Sequence, residues 1–256
     1  MGIRDRNHTS SIRTWLKRCL KHDEFELSSV NNITRGSGCQ VWDCLVDRNA
    51  IVLKVYAPGF DDYSRIGPVD TARKHARALM ELPAFKVLTP RCLGLAVEGD
   101  EAALVMEKIV ALPFTCAHRV AAARVLAKLH NIEARDFSHD LADLVSLSTP
   151  NRGRVGEVPG EPEPQEITLQ HGDYFSVNIL PAEDGLRVVD WDLLALGDPM
   201  WDLGFLLEAD RSIDTAESAA VIAAYATLRP INRERLDWQR ECWREFWRRR
   251  DAPASR

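Results

Sequence analysis

The chain has 256 residues, 45% of them hydrophobic and 28% charged, with a formal net charge of −5. This is the profile of a globular protein long enough for one large domain or two lobes. A dedicated nucleic-acid binder would be basic, which disfavours that class, and no apolar run approaches the roughly 18 residues of a membrane span.

Ile12, Trp15, Leu16, Cys19 and Leu20 recur at helical spacing and predict an amphipathic first helix. Arginine and lysine interrupt it at every turn, so it does not read as a secretory signal. Strands are expected at about 26–33, 40–46 and 50–56, with Asp47-Arg48-Asn49 turning between the last two. A helix over 68–82 opens on Pro68, which suits a first helical turn. A hairpin pairs 93–97 with 103–106 across Glu98-Gly99-Asp100-Glu101. Beyond Leu112-Pro113 the pattern becomes helical, over 118–130, 138–147, 200–208, 215–227 and 233–250. The Pro-, Gly- and charge-rich stretch 148–165 reads as a loop. Six cysteines, at 19, 39, 44, 92, 116 and 242, show no Cys-x-x-Cys and no metal spacing with histidine. Reduced thiols and a cytoplasmic location are therefore expected, without a zinc site or a disulfide framework.

The chemistry concentrates between residues 169 and 205. Asp173, Asn178 and Asp190 lie on short turns flanked by β-prone runs. Phosphoryl transfer needs one carboxylate to orient the attacking hydroxyl, and an amide and a second carboxylate to hold magnesium against the nucleotide phosphates. The five-residue step from Asp173 to Asn178 equals that of a kinase catalytic loop. Upstream, Gly36-Ser37-Gly38 joins the first two strands, where glycines let backbone amides approach phosphate oxygens, although any tight turn uses them. Lys54 stands alone among apolar neighbours in Ile51-Val52-Leu53-Lys54-Val55-Tyr56.

His171-Gly172-Asp173 with Asn178, followed by VVDWD and GDPMWDLG, resembles the aminoglycoside phosphotransferase and choline kinase superfamily of small-molecule kinases. The resemblance runs from Gly36 to about Phe205 and is thin beyond. It implies an α+β, protein-kinase-like fold: an N-terminal nucleotide lobe over 1–108, made of an antiparallel sheet plus a helix, and a mainly helical catalytic lobe over 109–256. It implies Asp173 as catalytic base, Asn178 and Asp190 as Mg2+ ligands, and Gly36, Ser37, Gly38 and Lys54 against the phosphates of ATP or GTP. Main-chain groups of the Met106-Glu107-Lys108-Ile109 hinge, at Glu107 and Ile109, would take the base. His171 is read as a buttress of its loop, His130 as structural, Asp192 as support, and Asp198 and Asp202 as acceptors for backbone amides that hold the loop.

One position departs from the family. His75 falls where the helix glutamate that pairs with the strand lysine is expected, and Glu81 sits on the wrong side of the helix. Lys54 is therefore expected to face His75 without its usual carboxylate. This motivates an alternative reading, a pseudokinase that binds nucleotide without turnover. Asp-Trp-Asp in place of Asp-Phe-Gly, and the lack of a phosphorylatable segment with Ala-Pro-Glu, favour a small acceptor over a protein. From 157 to 217 fifteen acids stand against Arg187 and Arg211, which suits a cationic acceptor. An aminoglycoside is the first expectation. Choline is the second, with Tyr174, Phe175, Trp191 and Trp201 as a possible aromatic cage. The arginine-rich end of the chain suggests another class of reading, a helix that touches an anionic surface. Neither nucleic acid nor membrane is an expected partner, and the chain is expected to be a monomer or homodimer.

Overall fold

The computed structural model describes residues 3–34, 39–59, 66–137, 160–162, 166–210 and 213–251. The glycine turn at Gly36, Ser37 and Gly38, the helix expected over 138–147 and most of the 148–165 loop lie outside them.

The chain opens with α1 (Ile3–Leu20), then β1 (Leu27–Asn32), β2 (Gln40–Val46), β3 (Asn49–Tyr56), α2 (Pro68–Glu81), β4 (Cys92–Glu98) and β5 (Glu101–Glu107). The five strands form one antiparallel sheet in the order β1-β2-β3-β5-β4. Because strand side chains alternate between faces, Ile51, Leu53 and Val55 of β3 turn toward α1. There they join Ile12, Trp15, Leu16, Cys19, Trp42, Cys44 and Val46 in one apolar cluster. α1 lies so close to β4 that a Cβ on Gly94 would stand 2.0 Å from the carbonyl oxygen of Cys19, and only glycine permits that approach. Lys54 and Tyr56 belong to the opposite face of β3, on which α2 packs through Ala72, Ala76 and Leu79.

The helical part comprises α3 (Cys116–His130), α4 (Pro199–Glu208), α5 (Thr215–Ala226) and α6 (Arg233–Asp251). Two small antiparallel pairs sit among them, β6 (Thr168–Gln170) with β9 (Ala195–Gly197) and, between these in sequence, the hairpin of β7 (Ile179–Ala182) and β8 (Gly185–Val188). Every helix expected within the described residues is present, and the arrangement is the two-lobed α+β fold that the motifs imply. The three-residue strands β6 and β9 were not anticipated. They are too short to show a pattern and are held by pairing with each other. α6 packs Cys242 and Trp243 against Trp201 and Phe205 of α4, the core role its apolar side suggests. None of the described helices is long and apolar enough to cross a membrane.

Candidate active site

The residues of the 171–178 loop are held from several elements at once. Pairing of β6 with β9 brings His171 beside the start of α4. There the buried Asp202 carboxylate accepts the backbone N–H groups of His171 (2.6 Å) and Gly172 (2.9 Å). Gly172 has φ +85°, and a Cβ on it would stand 2.7 Å from the Leu193 carbonyl, so the position excludes other residues twice over. His171 is fully buried. Its Nε2–H donates to the Val189 carbonyl at 2.9 Å, while Nδ1 accepts the Asp173 N–H at 3.2 Å. Those two bonds define the neutral tautomer, and burial depresses its basicity despite the nearby Asp202. His171 is thus a buttress, as expected. His130, buried between Tyr225 (2.8 Å) and Asp202 (3.4 Å), is structural in the same sense.

Asp198 differs in part from its expected role. It caps α4 by accepting Met200 N–H at 2.9 Å, and its second oxygen takes Arg235 and Gln239 from α6. It therefore ties α4 to α6 and leaves the backbone of His171 and Gly172 to Asp202.

Asp173 and Asn178 meet directly. The amide of Asn178 donates to the Asp173 carboxylate and to its carbonyl, both at 2.9 Å. Asn178 immediately precedes β7 and Asp190 follows β8 by two residues, so the hairpin brings the two to one end. A bond from Val189 N–H to the Asn178 carbonyl, 2.9 Å, closes that end. Asp190 adopts a left-handed conformation, φ 65°, uncommon for a non-glycine residue. Its side chain is 44% exposed, which leaves part of the carboxylate open to solvent.

Lys54 reaches this group from the sheet. It is 5% exposed, and its Nζ lies 2.6 Å from Asp190 Oδ1 and 2.6 Å from Asp192 Oδ2. Burial alone would favour the neutral amine, but the two carboxylates outweigh it and push the lysine pKa well above its ordinary value. For Asp192 burial acts in the raising direction. Lys54 and the bond from His75 overcome it and hold the carboxyl far below the usual range.

The expectation that Lys54 faces His75 without a carboxylate is corrected by this geometry. His75 does turn inward, at 1% exposure, but its Nδ1 meets Asp192 Oδ1 (2.8 Å) and the Tyr56 hydroxyl (2.8 Å). The lysine takes its carboxylates from the Asp-Trp-Asp turn instead. Sequence reasoning missed Tyr56 altogether, although its alternation with Lys54 on β3 was a usable signal. In the segment expected to form the hinge, Glu107 pairs with Arg91 (2.6 Å) and Lys108 with Asp43 (2.6 Å), so these side chains are engaged in ion pairs. Ile109 follows the end of β5.

The donor set fits a hard divalent cation, for which oxygen ligands are preferred. Asp190 offers an exposed carboxylate, and Asn178 directs its NH2 group to Asp173, which leaves its amide oxygen for a cation. His75, Asp190 and Asp192 also present ligand atoms within 4.8 Å of one another, but Lys54 is bonded to both carboxylates.

The acid-rich stretch 157–217 has a different meaning in three dimensions. Arg235 pairs with Glu161 and Asp198, Arg229 with Glu166, Arg119 with Asp210 and Glu217, and Arg240 and Arg244 with Glu208. Beyond these, Arg248 and Arg249 pair with Glu241 and Glu245 of their own helix.

Residues 157–246 match the phosphotransferase enzyme family, a match that runs past Phe205, where the motif resemblance thins. An aminoglycoside-3'-phosphotransferase of type VIII shares the fold with a TM-score of 0.60 and 16% identity, over 94% of this chain and 98% of the other. For the choline kinase LicA from Streptococcus pneumoniae the values are 0.65 and 15%, over 96% and 93%. For a spectinomycin phosphotransferase in complex with ADP and spectinomycin they are 0.62 and 13%, over 92% and 84%. No curated protein matches the sequence.

Proposed function

We propose that this chain, a member by motif, family match and fold of the superfamily of aminoglycoside phosphotransferases and choline kinases, transfers the γ-phosphoryl group of ATP or GTP to a hydroxyl of a small cationic acceptor. The observation that carries the reading is the convergence of Lys54 from β3 on Asp190, beside a hydrogen-bonded Asp173–Asn178 pair. In this reading residues 1–108 bind the nucleotide and 109–256 supply the catalytic loop and the acceptor site. Lys54 and the backbone of Gly36, Ser37 and Gly38 hold the phosphates, and the main chain at Glu107 and Ile109 holds the base. Asn178 and Asp190 hold magnesium, which when bound supplies charge neutralisation for the phosphates.

Asp173 orients the acceptor hydroxyl and takes its proton as the new P–O bond forms and the bond to the leaving nucleoside diphosphate breaks. Its bond from Asn178 fixes the carboxylate, so one oxygen faces the acceptor. Catalysis is then chiefly positioning and charge stabilisation.

An aminoglycoside is the first acceptor proposed, in line with the family resemblance and with the likeness to enzymes of that name. A single-ammonium amino alcohol such as choline is a second reading, and one observation favours it. Seven of the fifteen acids of 157–217 (Glu161, Glu166, Asp184, Asp198, Glu208, Asp210 and Glu217) are paired with arginines and so are less free to hold a polycation. The rings named for an aromatic cage do not add to this, since Tyr174 and Trp191 are fully buried and Trp201 and Phe205 pack against Trp243 in the core. Purified protein with Mg2+ and γ-labelled ATP or GTP, assayed over aminoglycosides, choline, ethanolamine and other amino alcohols, tests the proposal. Acceptor-dependent release of nucleoside diphosphate is the expected result. Nucleotide binding with no transfer to any acceptor would favour the pseudokinase alternative instead.

A further inference from the structure

We infer that Asp192, braced by Tyr56 and His75, is the positioning residue that aims Lys54, a task the family pattern gives to a glutamate on the helix after the lysine strand. The inference rests on the kinase reading for its purpose, though not for its geometry.

Two carboxylates touch Lys54 equally closely, yet they are held differently. Asp192 spends Oδ2 on the lysine at 2.6 Å, and its Oδ1 accepts the Tyr56 hydroxyl and His75 Nδ1–H, each at 2.8 Å. It is thereby fixed from β3 and from α2 together, and its side chain is 19% exposed. Asp190 is 44% exposed and bonds Lys54 through one oxygen. Asp190 is therefore the partner able to turn toward a cation, and Asp192 is the one that keeps the lysine in place when it does.

The same geometry explains why a histidine suits position 75. A carboxylate accepts but does not donate, so the bond to Asp192 requires a proton on His75 Nδ1. A glutamate at 75 would set a third carboxylate about Lys54 and repel Asp192. His75 Nε2, buried, has no partner among the described residues, so the ring is oriented by its Nδ1 side. Lysine, tyrosine, histidine and aspartate thus form one unit in which the acid has moved from the helix to the turn after Asp190.

A double-exchange experiment tests this, with His75→Glu, Asp192→Asn and the combined variant compared with wild type. The first readout is acylation of Lys54 by a small amine-reactive reagent in nucleotide-free protein, followed by mass spectrometry. The second is the Kd for MgATP without acceptor. Asp192→Asn should expose Lys54 to labelling and weaken MgATP about tenfold, the scale of one charge-assisted hydrogen bond. His75→Glu should also weaken MgATP about tenfold. The combined variant should return to within about threefold of wild type, because it restores the number of carboxylates around Lys54. Recovery in the double variant is an outcome that general loss of folding does not produce. Two losses that simply add, or Asp192→Asn with unaltered labelling, would overturn the inference. If wild type binds no MgATP while the labelling pattern holds, the pairing stands and the kinase reading fails.

Discussion

Asp173 and Asp190 are both carboxylates within one short stretch, yet their surroundings assign them different work. Asp173 accepts from Asn178 and stands at the end of a loop fixed by His171 and Asp202. Asp190 has a left-handed backbone, a partly exposed carboxylate and a bond from Lys54. Asp173→Asn should abolish transfer while leaving MgATP affinity nearly unchanged, since the phosphates are held by other groups. Loss of a general base costs about 10² to 10⁴ in rate, so kcat should fall by that factor with the nucleotide Kd constant; wild-type turnover would remove Asp173 from the mechanism. Asp190→Ala should instead lose both rate and the magnesium dependence of nucleotide binding, which titration calorimetry with and without Mg2+ would detect. At this scale the sequence was legible where a motif is local. Asp173, Asn178 and Asp190 stand within eighteen residues of one another, and a turn or hairpin suffices to gather them. The partner of Lys54 was not legible. It lies 136 or 138 positions away, and the choice between α2 and the Asp-Trp-Asp turn is made only when the sheet docks on the helical part.

Among the elements, α4 does the most to position the site. Asp198 caps its first turn and Asp202 projects from the same end to take the backbone of His171 and Gly172. The helix N-terminus thus faces the loop that carries Asp173 and holds it with a carboxylate that also meets His130. Both histidines around Asp202 have pKa values lowered by burial. In the unfolded chain they titrate near the ordinary value of about 6.5. As pH falls through that value the unfolded state takes up protons that the folded state refuses, so stability is complete above it and declines below it. Each histidine contributes at most about 1.4 kcal/mol per pH unit. Urea denaturation at pH 7.5 and 5.5, above the range where most carboxylates titrate, should show that decline, and His130→Gln should reduce its slope. A stability independent of pH over this interval would mean that the two rings are not buried as neutral groups. Helix periodicity made α2, α3 and α6 readable in advance, because each presents one apolar side to a core. β6 and β9 were not, since strands of three residues carry no period and exist through their pairing.

Charge is where the whole molecule departs furthest from its sequence. Read along the chain, acids crowd 157–217 and arginines crowd the end. Folded, α6 lies against α4, and the two populations neutralise each other through Arg235 with Asp198 and Arg240 and Arg244 with Glu208. Arg119 from α3 does the same for Asp210 and Glu217. These pairings leave neither population as free as the sequence suggests, which weakens the anionic-surface reading of α6 together with part of the case for a polycation. The consequence is measurable at the acceptor site. Exposed ion pairs are screened by salt and are worth about 0–1 kcal/mol each, so an acceptor held by several free carboxylates would lose affinity steeply as salt rises. With those carboxylates already paired, the KM for the best acceptor should rise less than about threefold between 50 and 500 mM NaCl, a change of under ~0.7 kcal/mol. Steady-state kinetics at fixed MgATP would measure it, with nucleotide KM followed separately because phosphate contacts carry their own salt dependence. A rise of tenfold or more in acceptor KM alone would show that acids beside Asp173 remain free for a polycation, and would support the aminoglycoside reading on electrostatic grounds as well as on family resemblance.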